Sequence, residues 1–101
     1  MLNKYIYIGL VKVLPKPENK DFKEAKGVYV NVLTIANDSE EYELKVKEAM
    51  TYYGFICEEM EDVEKLSDRL ENNEVSEDIL ELAKEIKSES DVRYGQFFIW
   101  E

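Results

Sequence analysis

The chain has 101 residues, 23 of them acidic and 13 basic, with a net charge of −10 and no histidine. With 45% hydrophobic and 12% aromatic residues, it suits a single domain spanning 1–101, because two domains of half that length would each bury too little core. A field of this sign repels phosphate backbones, which argues against nucleic acid. The missing histidine removes the commonest general base, the Ser-His and Cys-His nucleophile systems and most zinc sites.

The N-terminal apolar stretch is broken by Lys12 and alternates as a strand does. It is too short for a membrane span and has no small-residue cleavage site. Cys57 is the only cysteine, so no intramolecular disulfide forms, and a reducing cytoplasm is the expected compartment.

Residues Lys4 to Leu14 read as a first strand. Tyr5, Tyr7, Val11 and Val13 fall on one face, and Ile6, Ile8, Leu10 and Leu14 on the other. A strand apolar on both sides must be covered on both sides. Pro15 and Pro17 end it, and 15–26 forms a polar loop with Phe22 as its only large apolar anchor. Val28 to Ala36 is a second strand, again apolar on both faces, expected antiparallel to the first.

Asp38 and Glu41 have the spacing of a capping box. Tyr42, Val46, Ala49, Met50 and Tyr53 then share one helical face, so a helix is expected at 38–53, ended by Gly54. Leu44 points away from that face. Phe55 to about Glu61 starts apolar and turns acidic, as an edge strand does when its far end reaches solvent. Leu66–Asn73 is ambiguous between a short helical turn and a loop. A second helix is expected at 77–87, with Ser76, Glu77 and Asp78 at its start and Ile79, Leu82, Ala83 and Ile86 as its inner stripe. Val92 to Trp100 is the last strand.

The order ββαβαβ predicts an α+β domain with a four-stranded mixed or antiparallel sheet. Both helices would lie on one face, in a ferredoxin-like general shape. That packing leaves an apolar face bare, so either the 15–26 loop or a second copy of the chain is expected to cover it.

The chemistry-bearing residues are few. Between residues 58 and 81 stand eleven acids against Lys65 and Arg69. There is no Asp-x-Asp-x-Asp-Gly loop and no histidine to complete a metal set, so neither metal nor cofactor is expected. Residues 1–36 sum to +3 and residues 37–101 to −13. Cys57 stands beside Glu58 and Glu59, which raise a thiol pKa, so it reads as inert. No phosphate-binding glycine loop is present. Gly9 and Gly95 mark bulges or places where an aromatic ring lies against a strand. Tyr5, Tyr7, Tyr29, Tyr94 and Trp100 are candidates for one shared sheet face.

These features predict a non-enzymatic binding module whose carboxylates meet a basic protein partner. Glu58, Glu61 and Glu64 would be the charged contacts and Tyr52 an aromatic one. In size and charge the chain resembles bacterial immunity proteins and antitoxins that block nucleases, and Val28 through Phe55 is similar in arrangement to small antitoxin folds. The likeness rests on no motif and carries over no residue. The alternatives are a structural or regulatory homodimer through the open sheet face, and a small cofactor-free ferredoxin-like enzyme with a carboxylate base.

Overall fold

A computed structural model describes residues 4–16, 27–72, 75–88 and 91–100, the side chains of 72, 96, 97, 99 and 100 apart. Along the chain lie β1 (Tyr5–Pro15), β2 (Gly27–Ala36), α1 (Ser39–Tyr52), β3 (Phe55–Lys65), α2 (Leu66–Asn72), α3 (Glu77–Glu85) and β4 (Val92–Trp100). The sheet order is β3-β1-β2-β4, and every neighbouring pair is antiparallel. Both β2 and β3 therefore run opposite to β1, which separates them, and α1 carries the chain across it.

The two apolar faces of β1 and β2 are both used. Tyr7, Val11 and Val13 join Val28, Val30, Val32 and Ala36 beneath Tyr42, Val46 and Met50 of α1, with Phe55 at the end. The alternate residues Ile8 and Leu33 form a second core with Leu66, against which Ile6, Val75, Ile79, Leu82, Ala83 and Ile86 pack. Successive strand residues point to opposite faces, so α1 covers one side of the sheet and α2 with α3 the other. This corrects the expected ferredoxin-like packing with two helices on one face. Doubly apolar central strands need cover on both sides, and the stripe of α3, with Leu66 of α2, supplies the second cover. The bare face that called for a loop or a second copy is thus filled over much of its area. Residues 17–26, including Phe22, lie outside the described residues.

Element limits shift in three places, the first being α3, expected to reach 87, which ends at Glu85 with Ile86 already extended. The third strand runs past Glu61 to Lys65, and the ambiguous segment is helical over Leu66–Asn72, Asn73 lying outside the described residues. The helix signals act as their chemistry requires. Asp38 caps α1, its Oδ1 accepting from the Glu41 amide at 2.8 Å. Glu41 returns the contact one residue early, accepting from the Asn37 amide at 3.2 Å. Gly54 follows the helix at φ 89°, a left-handed position that glycine takes without strain. Ser76 Oγ accepts from the Ile79 amide at 3.4 Å and starts α3.

Gly9 admits the ring of Tyr42. A Cβ there would lie 2.8 Å from the Tyr42 hydroxyl oxygen and 3.0 Å from Val63 Cγ2. The hydroxyl instead donates to the Val32 carbonyl at 2.7 Å, and burial pushes its pKa well above the usual tyrosine range. At the far end of the sheet, Thr34 is fully buried and donates to the Asp91 carbonyl at 2.8 Å. The Asp91 carboxylate accepts from the amides of Lys87 and Ser88, at 2.8 and 3.1 Å. These bonds tie Lys87 and Ser88 to Asp91, the residue that precedes β4.

Candidate functional site

Strand β3 forms one edge of the sheet, and its sequence explains its irregular course. Where β1 advances from Ile8 to Leu10, β3 advances from Glu64 to Glu61; where β1 advances from Lys12 to Val13, β3 advances from Glu59 to Cys57. Each step leaves one extra residue in β3, a bulge. The extra residue of the second step is Glu58. In the first step Val63 packs into the α1 core, which leaves Asp62 as the extra residue. Asp62 has φ 54°, a left-handed conformation that aspartate tolerates better than most residues. Both bulges therefore insert an acid into the edge.

On the α2 side of this edge lies an open cavity of about 500 Å3, lined by Leu10, Asn31, Asp62, Glu64 and Arg69. Leu10 is the apolar floor, paired in register with Asn31 on one side and Glu61 on the other. Arg69 fixes the rim. Its Nη2 donates to the Asp62 carbonyl at 2.6 Å and to Glu64 Oε2 at 3.3 Å. One guanidinium thus holds the bulge and α2 together, while the Asp62 side chain stays exposed. Two carboxylates against one guanidinium leave the rim net negative.

The residues singled out from the sequence divide into two groups. Glu61 and Glu64 face the cavity side, since their register partners Leu10 and Ile8 do. Glu61 is exposed, and Glu64 is partly covered by Arg69. Glu58 lies farther along the same edge and pairs with Lys12 at 3.5 Å. Burial pulls the Lys12 ammonium down, but Glu58, Tyr29 and Glu59 outweigh it and hold its pKa above the ordinary lysine range. Tyr52 is not part of this surface. It is 85% exposed at the end of α1, on the other side of the sheet, with its ring edge-on to Tyr53 at 5.4 Å. Tyr53, expected in the core, is 47% exposed and meets the ring of Tyr94 on β4 at 5.3 Å.

The aromatic residues do not share one face either. Tyr5, Tyr7 and Tyr94 lie on the α1 side, whereas Tyr29 pairs with Lys12 on the other. The Trp100 side chain lies outside those described. Cys57 has its pKa raised by burial rather than by the adjacent carboxylates, and Lys47 opposes the shift. Among the described residues no group of His, Cys, Asp and Glu side chains is arranged to hold a metal ion, and no helix is long and apolar enough to cross a membrane.

Asn31, Leu10, Asp62 and Arg69 were not singled out from the sequence as site residues. Asp62 and Arg69 lie seven positions apart across a strand-to-helix junction that periodicity left ambiguous. Asn31 and Leu10 come together only through strand pairing. The one signal was Arg69 itself, an arginine inside a run of acids.

No family model, no curated protein and no solved structure matches the chain.

Proposed function

We propose that this chain is a non-enzymatic binding module of the inhibitor kind, whose β3 side engages a basic protein. The observation that carries this reading is the Leu10 cavity with Asp62 and Glu64 on its rim, set beside Glu58, Glu59 and Glu61 on the same edge. A lysine or arginine of the partner would lay its aliphatic stem on Leu10 and bring its charge to the carboxylates. The surrounding negative field would steer the encounter. Glu64 is bound by a guanidinium rather than held in apolar surroundings, an arrangement suited to recognition more than to a general base.

Asp62 gives the reading its test. A carboxylate in a left-handed bulge is kept at some expense to stability, which suits a residue retained for contact. Affinity capture from the native host with the tagged full chain, followed by mass spectrometry, should recover a basic protein. The same capture with Asp62→Gly should lose most of it while the variant stays folded. Equal recovery by both chains, or a partner that proves acidic, would overturn the proposal.

A further inference from the structure

Arg69 reaches the β3 bulge from a separate element. Leu66, 7% exposed, seats α2 against Ile8 and Leu33, and Arg69 stands one turn further on the same side of the helix. Its side chain is 17% exposed. Both bonds that it makes among the described residues leave from Nη2, to the Asp62 carbonyl at 2.6 Å and to Glu64 Oε2 at 3.3 Å. Among the described residues no other side chain bonds to Asp62.

The carbonyl is the telling partner of the two. It belongs to the rigid peptide unit that joins Asp62 to Val63, and Val63 packs against the α1 core. That unit is thus held at both ends, by the core and by the guanidinium. An aspartate at φ 54° persists only where its surroundings hold it, and the carbonyl bond is the hold that α2 supplies.

Charge alone would give Arg69 the opposite value. A guanidinium beside Asp62 and Glu64 weakens the field offered to a basic protein and repels an arriving cation. Its place on this rim therefore calls for a role other than attraction.

We infer that Arg69 is a positioning residue: from α2 it holds the Asp62 bulge in the left-handed conformation that presents the carboxylate to a basic partner. The inference rests on the basic-partner reading and adds to it the residue that shapes the rim. It also ties the site to α2, so that partner binding and the seating of α2 favour each other.

Two variants with long stems separate position from charge. Arg69→Lys keeps a cation that can donate to the carbonyl, whereas Arg69→Met keeps an apolar stem and loses every donor. In the free full chain, the Cα and Hα chemical shifts of residue 62 report its backbone conformation. They should be left-handed in the parent and in Arg69→Lys and lose that signature in Arg69→Met, while the signals of Tyr42 and Val46 stay in place. With the basic protein recovered by capture, Arg69→Met should dissociate roughly tenfold faster, although its lost positive charge by itself would speed association. Arg69→Lys should dissociate within about threefold of the parent rate. A left-handed signature that survives in Arg69→Met, or an Arg69→Met chain that binds as tightly as the parent or more so, would overturn the inference and leave the basic-partner reading standing. A capture that yields no basic protein would overturn both, whatever the shifts of residue 62.

Discussion

Over eleven residues β3 carries five acids and one lysine, while β4 carries one arginine over nine. Both are edges of the same sheet, and an edge exposes the same backbone donors and acceptors whatever its side chains. In β3 those groups stand among five acids and two bulges, which disfavour pairing with a second β3. In β4 the one charged residue, Arg93, is 39% exposed and pairs with Glu85 of α3, and a single bulge interrupts the register with β2. The two edges thus differ in side-chain charge while sharing one core between them.

The largest expected effect breaks that core and so removes the comparison. Gly9→Ala pushes a Cβ against Tyr42 and Val63 and should destabilise the fold by about 1–3 kcal/mol in urea denaturation. Next is Arg69→Ala, which removes the donor to Asp62 and Glu64 and should lower stability by about 1 kcal/mol. Its amide exchange should quicken in β3 and not in β4. Asp62→Gly has the opposite sign: relief of the left-handed position should raise stability by about 0.5–1 kcal/mol. A loss instead would mean that its side chain is held by contacts, not merely tolerated.

Gly95→Ala sharpens the contrast on β4. Its Cβ would sit at an ordinary 3.6 Å from Leu82, and the change should stay within about 0.5 kcal/mol. Were it as damaging as Gly9→Ala, β4 would be packed as tightly as the central strand. The smallest effect concerns acid. The amides of Lys87 and Ser88 hold Asp91 below the usual aspartate range. Its contribution is therefore present above the unfolded value of about 4 and is lost as pH falls through the depressed folded one. Asp91→Asn should flatten the stability profile in that window, measured by thermal unfolding at stepped pH, with the change felt at the entry to β4.

Much of the fold was legible because its signals are local. Asp38, Gly54 and Ser76 mark helix ends through bonds to amides or carbonyls a few residues away, and strand alternation follows from the backbone. What was not legible is how faces are shared out. The apolar residues on both sides of β1 and β2 showed that two covers were needed. The stripes of two helices do not say which side each takes, and α2 begins at Leu66, ahead of Ser67 and Asp68, the residues whose types suggested a cap. The far end of β3 was hidden for a related reason: the two bulges break the alternation, so the strand reads as ending near Glu61 and not at Lys65. The candidate cavity was further out of reach, because Leu10, Asn31, Asp62 and Arg69 meet only through register and helix placement. Tyr52 was separated from the acids by the same circumstance, since α1 and the cavity occupy opposite faces.

The measurement that bears most directly on the acidic edge is the association rate of the captured basic protein with this chain, followed by stopped flow as salt is raised. Glu58→Lys, Glu61→Lys is the variant of choice, because both side chains are exposed and neither is bound by Arg69. The account predicts a rate that falls roughly tenfold or more between about 50 and 500 mM salt, and a variant already slow at low salt, with dissociation changed less. A rate indifferent to salt and to both reversals would contradict it, and the acids of β3 would then serve only to keep that edge unpaired.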